Sequence, residues 1–190
     1  MNFNRYYGLL LLCLVKAIST FGQNDADLTL NLSGNWRFQI DSLDMGVSDK
    51  WFTKKLPDQV TLPGSMTTNF KGNDINIRTP WTGQIVDQSW FTKPAYAKYR
   101  EPGNIKIPFW LQPVKYYKGA AWYQKTISIP ASWSGEEVQL FLERTHWETT
   151  VWIDEVEIGM KNSMGTPQIF SISQKLTPES ISSRYGLITA

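Results

Sequence analysis

Apolar and polar side chains alternate with period two in several short runs of this chain, and most of the runs stop at glycine, proline or a polar pair. Leu28 to Leu32 alternates first. After Ser33-Gly34-Asn35, Trp36, Phe38 and Ile40 take one face of a half-buried strand, with Arg37, Gln39 and Asp41 on the other. Gln59 to Leu62 is a short strand stopped by Pro63-Gly64. The rhythm resumes at Ala120: Tyr123, Ile127 and Ile129 share a face, Gln124, Thr126 and Ser128 take the opposite one, and Pro130 ends the run. Val138, Leu140 and Leu142 repeat it. Val151 and Ile153 lead into Asp154-Glu155, and Val156 and Ile158 lead out to Gly159, which predicts a hairpin. Phe170 and Ile172 open a further strand. The expected inward set is Trp36, Phe38, Tyr123, Ile127, Val138, Leu140, Leu142, Val151 and Ile153. Strands this closely spaced, with no amphipathic helix between them, predict an all-β fold of the antiparallel jelly-roll sandwich type.

Two stretches break the rhythm. From Ser65 to Gly103 no period is sustained, and Trp81, Trp90, Phe91, Tyr96 and Tyr99 are scattered among polar residues. An irregular run of this length inside a compact domain signals function or additional packing. At the N-terminus, Arg5, the apolar Gly8 to Val15 and the small Thr20 and Gly22 have the order of a secretory signal peptide, residues 1–22. The run is too short to span a bilayer. Cys13 follows three leucines where a lipobox needs a small residue, so cleavage before Gln23 is expected. The protein is then exported, periplasmic or secreted, with one domain over 23–190.

Removing the signal also removes Arg5 and Lys16, which leaves acidic and basic side chains in balance. A balanced surface gives no electrostatic case for nucleic acid or anionic membrane as partner. The single cysteine leaves too, so export here does not imply a disulfide framework. With His146 as the only histidine, soft ligands are too few for a zinc site, no nucleophile motif exists to complete a triad, and no cofactor is expected.

The order of these pieces resembles the N-terminal sugar-binding domain of glycoside hydrolase family 2, the β-galactosidases, β-glucuronidases and β-mannosidases. Gly34, Trp36 and Phe38 fit its first strand, Val60, Leu62, Pro63 and Gly64 its next segment, Gly119, Trp122, Tyr123, Ile129 and Pro130 its long strand, and Val151, Trp152, Ile153 and Gly159 its hairpin. The resemblance implies a galactose-binding-domain-like jelly roll, carbohydrate as ligand, and as partner a catalytic TIM barrel of the same protein that bears the two glutamates of a retaining β-glycosidase and is missing from this chain. Two departures carry expectations. Asp154-Glu155 stands where many members have Asn-Gly or Asp-Gly, so positive φ is expected at Glu155. After Pro178 the family's strand pattern breaks off, so a truncated reading is expected, with 179–190 poorly packed beside an unpaired sheet edge.

Glu136-Glu137 and the group Asp154, Glu155 and Glu157 sit at turns and solvent-facing positions and read as solvated charge, so the chain alone is expected to be non-catalytic. His146-Trp147-Glu148 fits a packed sandwich edge or a sugar contact. Asn162 stands where some similar β-galactosidases carry an aspartate that reaches the neighbouring active site. It can bond a hydroxyl but brings no charge for an ion, and a simple turn between glycines fits it as well. Trp36 and Trp122, inside strands, are expected in the core. Trp81, Trp90 and Trp110, in irregular segments, are the aromatic candidates for stacking on a pyranose. The substrate-binding candidates are thus Asn162, His146, Trp110, Trp81 and Trp90.

Overall fold

The computed structural model describes residues 28–107, 114–173 and 183–189. The chain divides into two units, Met1–Leu32 and Ser33–Ala190. The expected signal peptide lies outside the described residues. Of the first unit only 28–32 are described, without regular structure and with Leu28 and Leu30 exposed.

The second unit is built mostly of strands. β1 (Gly34–Asp41), β2 (Asp58–Leu62), β5 (Ala120–Ile127), β7 (Glu148–Ile153), β8 (Val156–Asn162) and β10 (Ser183–Thr189) form one sheet in the order β2-β1-β5-β10-β7-β8. All of its pairings are antiparallel. β6 (Gln139–Leu142) pairs β9 (Gln168–Ser171), and the two-residue strands β3 (Asn73–Asp74) and β4 (Lys115–Tyr116) pair each other. The only α-helix among the described residues, α1 (Ser89–Thr92), is a single turn.

The expected inward set holds. All nine residues are buried except Tyr123, which is half-buried and meets Phe38 edge-on at 5.1 Å. Phe38 pairs Tyr123 across β1 and β5, and Trp36 pairs Val60 across β1 and β2, so period two and register place one continuous apolar face.

The opposite face, read from the sequence as the polar side of a half-buried strand apart from Trp122, is buried in part. Asp41 and Gln124 are buried together with Ala120, Trp122 and Trp152. The cover is the segment after β1, which lays Trp51, Phe52 and Leu56 over Ala120, Trp122 and Trp152. Phe52 stacks on Trp152 with rings 5.9 Å apart and nearly parallel, and Trp122 and Trp152 approach to 5.1 Å. Asp41 fixes the turn into this cover. One carboxylate oxygen accepts the Met45 N–H at 2.8 Å, and the other accepts the Gly46 N–H at 2.6 Å and the Trp122 Nε1–H at 3.0 Å. Gln124 holds the far end of the cover: its Oε1 accepts the Leu56 N–H at 3.2 Å and its Nε2 donates to the Lys54 carbonyl at 2.9 Å. Buried polar side chains are tolerated here because their bonding groups are used.

Two further corrections concern strand ends. At the β7–β8 hairpin the positive φ falls on Asp154, at 52°, and not on Glu155. Aspartate tolerates the left-handed region better than glutamate, because its short side chain can bond locally. The unpaired edge expected beside 179–190 is not found at the described residues of that stretch, 183–189. Ser183–Thr189 is β10, in the middle of the sheet, with Leu187 paired to Tyr123 on one side and Val151 on the other. Gly186 and the polar residues leading into this strand conceal it in the pattern, since glycine inside a run reads as a break.

Candidate functional site

The residues that can face a ligand or a neighbouring domain gather where β7 begins and β8 ends. Glu148 and Asn162 are register partners at this end of the sheet. The Asn162 amide nitrogen points at Glu148 Oε2, 3.4 Å away, which leaves Asn162 Oδ1 turned from that contact. Ser163 donates its N–H to the Trp147 carbonyl at 2.8 Å, and Gln168 Nε2 donates to the same carbonyl at 2.8 Å. Gln168 is 1% exposed and belongs to β9, so it pins the loop before β7 from beneath. Ser163 Oγ and Thr166 close the following turn, the hydroxyls 2.5 Å apart.

On this scaffold His146 and Trp147 are exposed, Trp147 by 52%, and their rings lie 6.5 Å apart. A packed edge is therefore not what the structure places there. Arg144 and His146 both have positive φ, 55° and 29°, a costly backbone for residues that are not glycine. Met164 on the adjoining turn is 66% exposed. This end thus presents an open indole, an imidazole, an amide and a carboxylate, a set suited to ring stacking and to hydrogen bonding with hydroxyls.

The other candidates lie elsewhere. Trp81 and Trp90 do meet, edge to face at 5.7 Å, but inside a satellite core with Ile107, flanked by Tyr96 and Ile105. They are 5% and 0% exposed, so neither presents an open ring face to a sugar. Trp90 Nε1 donates to the Lys106 carbonyl at 3.0 Å, and the Arg100 guanidinium donates to the Trp90 carbonyl and lies 6.0 Å from its ring. The irregular segment is therefore extra packing at this point. Trp110 lies outside the described residues. Trp36 and Trp122 are core, at 4% and 0% exposure. Gln168 was missed by the sequence reading: a polar residue opening a strand gives no sign that it is buried.

Glu136, Glu137, Asp154, Glu155 and Glu157 are all exposed, in keeping with solvated charge. Among the described residues no cluster of three His, Cys, Asp or Glu side chains could hold a metal, and no helix is long and apolar enough to cross a membrane.

The unit is mostly strands with few helices, and comparison with known proteins gives its family. Residues 29–180 match the family model described as glycosyl hydrolases family 2, sugar binding domain, and the chain belongs to that family. It is similar to a β-glucuronidase of Paenibacillus borealis, 23% identical over 129 residues that cover 68% of this chain and 15% of that protein. It is also similar to a β-galactosidase of Arthrobacter sp. (strain B7), 25% identical over 165 residues, 79% of this chain and 15% of that protein. The chain thus spans about 15% of the length of these curated relatives. Among solved structures it shares the fold of a β-glucuronidase from an uncultured Clostridium sp., with TM-score 0.55 and 18% identity over 85% of this chain and 22% of that one. A Lactobacillus rhamnosus β-glucuronidase superposes with TM-score 0.54 and 15% identity over 84% of this chain and 20% of its own.

Proposed function

We propose that this chain is the N-terminal, non-catalytic module of an exported family 2 glycosidase that hydrolyses terminal β-linked sugars, folded as a galactose-binding-domain-like jelly-roll sandwich. The observation that carries the reading is the match of residues 29–180 to the sugar-binding domain, with alignments that span 15% of each of the two curated relatives. A retaining glycosidase needs two carboxyl groups about 5 to 5.5 Å apart in a shaped cleft. The grouped carboxylates of this chain stand in solvent instead.

In this reading the catalytic barrel of the same protein supplies the acid and the nucleophile. The end formed by His146, Trp147 and Asn162 faces that barrel and lends contacts to the rim of its site, while Trp81 and Trp90 stiffen the module from within. Secretion through a signal peptide over 1–22 completes the proposal, and mass spectrometry of exported protein should find Gln23 as the first residue. Purified 190-residue chain should not turn over nitrophenyl β-glycosides. Turnover that disappears on mutating Glu136 or Glu148 would overturn the non-catalytic reading.

One observation favours a second reading, a stand-alone carbohydrate-binding module. β10 lies within the sheet, paired to β5 and β7, where an open edge was expected. Binding to a glycan array by the isolated chain would favour this reading over a buttress for a barrel.

A further inference from the structure

The connection from β6 to β7, residues 143–147, concentrates strain that other turns spread out. Asp44, Lys50, Phe70, Gln84 and Asp154 have positive φ singly, whereas Arg144 and His146, at 55° and 29°, stand two positions apart. Neither is a residue type that favours the left-handed region, and such a backbone persists only where its surroundings enforce it.

The enforcing residue is Gln168, which lies beneath both ends of the connection. It pairs Leu142 across β6 and β9, and its Nε2 donates to the Trp147 carbonyl at 2.8 Å and lies 3.5 Å from the Ser163 carbonyl. The Ser163 N–H meets the same Trp147 carbonyl at 2.8 Å, and the Thr149 hydroxyl donates to Thr145 Oγ1 at 3.0 Å. The Glu143–Arg144 ion pair stands in solvent, where it contributes little.

This fastening has a cost in the interior. Two carbonyl oxygens face the Gln168 amide nitrogen, which settles the orientation of the side chain and turns Oε1 away from them. That oxygen is buried and meets no donor among the described residues. Gln124, buried on the other face of the six-stranded sheet, uses both ends of its amide. An unpaired buried acceptor, two left-handed residues and two rings left in solvent thus fall on one short connection and on the bond that holds it.

We propose that residues 143–147 are a strap with two states. In the described state Gln168 Nε2 holds the Trp147 carbonyl, and the rings of His146 and Trp147 stand open. In the second state that carbonyl lets go, Arg144 and His146 return to negative φ, Gln168 Oε1 receives an N–H of the strap, and the indole leaves its present position. A neighbour that touches the indole binds one state better and shifts the balance by that difference alone. The two states belong to this chain by itself and do not rest on the proposed function.

The test is NMR relaxation dispersion on the full 190-residue chain, which reads microsecond-to-millisecond exchange. The amides of residues 144–147 and Ser163, the Trp147 indole N–H and the Gln168 side-chain amide should report one shared process, with a minor state of about 1 to 10%. The amides of β1 and β5 should not report it. Arg144→Gly, at an exposed position, supplies the residue that bears positive φ without strain, and should lower the minor population at least about threefold. Gln168→Met, close in size, removes the fastening and the unpaired oxygen together, and should move the strap resonances toward the minor-state shifts. Arg144→Gly decides the matter by itself if Gln168→Met does not fold. Flat dispersion over the strap, exchange spread evenly over the sheet, or a minor population that Arg144→Gly leaves unchanged or raises would overturn the proposal. A nuclear Overhauser effect from a long-lived water to the Gln168 side chain, without exchange in the strap, would make Oε1 the seat of a buried water and overturn it as well. None of these outcomes bears on turnover, so the proposed function stands or falls separately.

Discussion

The two faces of the six-stranded sheet are buried by different physics. On one face Trp36, Phe38, Val60, Val151 and Ile153 are buried as apolar surface, and what matters is volume and fit. On the other, Trp122 and Trp152 lie under a loop that two polar residues, Asp41 and Gln124, bolt to the strands. Apolar burial is non-directional, so the first face tolerates exchanges that conserve volume. The second depends on hydrogen bonds whose loss strands buried donors, so similar size alone does not make a replacement acceptable there.

The largest expected effect belongs to the first face. Phe38→Ala removes a ring that is 1% exposed and in edge contact with Tyr123, and should cost about 3 to 5 kcal/mol in a denaturant-unfolding experiment. Phe38→Leu should recover much of the loss. If Phe38→Leu were as damaging as Phe38→Ala, this face would be as directional as the other and the contrast would fail.

Asp41→Ala should come next. It deprives Met45, Gly46 and Trp122 of their acceptor, and with about 1 to 3 kcal/mol for a stranded buried donor the cost should be roughly 2 to 4 kcal/mol. Asp41→Asn keeps one acceptor oxygen and should cost less. A tryptophan-fluorescence change at Trp122 should accompany the loss. Unfolding free energies of wild type and Asp41→Ala within 0.5 kcal/mol, roughly the scatter of a surface substitution, would mean that the bolts are ornamental.

How much of this was legible follows from the same contrast. Period two in Trp36, Phe38, Leu140, Leu142, Val151 and Ile153 reads directly as a core face, because a strand turns alternate side chains to the same side. Asp41 and Gln124 read as solvent-facing for the same reason, since period two cannot tell that a segment some ten residues downstream returns as a lid. Trp81 and Trp90 looked like stacking platforms for want of a periodic context, yet they are the interior of a satellite core. β10 was hidden by Gly186, since a glycine inside a run reads as a break. Motif order gave the family correctly, whereas the exposure of His146 and Trp147 came only from coordinates.

A smaller effect tests how closely the lid is fitted. A Cβ at Gly46 would fall within the van der Waals envelopes of Trp122 Nε1 and Asp41 Oδ2. Trp122 is 0% exposed and bonded to Asp41, so it cannot swing aside freely. Gly46→Ala should therefore destabilise by about 1 to 3 kcal/mol, the range for overpacking. In a double-mutant cycle with Asp41→Ala the two losses should fall short of adding, because both release the same turn. Strict additivity would separate the turn from the bolt.

The smallest effect uses a carboxylate on the exposed edge strand as the counterpart of Asp41. Asp58, on β2, receives Lys71 Nζ at 2.7 Å on both oxygens, and its side chain is 51% exposed. The Lys71 hydrogen bond holds its pKa below the ordinary 3.8, with burial opposing and the Gln59 N–H assisting. A folded pKa that is depressed stabilises above the unfolded value and loses that contribution as pH falls through the folded one, so the pair should act fully at neutral pH and fade as the pH drops below the ordinary carboxylate range. Exposure and screening limit it to at most about 1 kcal/mol. Asp58→Asn should lower the melting temperature slightly at pH 7, less in 1 M salt, about the range where the screening length shrinks to 3 Å, and progressively less as the pH is lowered through the acid range. The Asp41→Ala loss should persist in the same salt, because its bonds are buried against Trp122 and the Gly46 amide. If salt erased both losses alike, the second face would be held by screened charge and not by directional bonds in a dry interior.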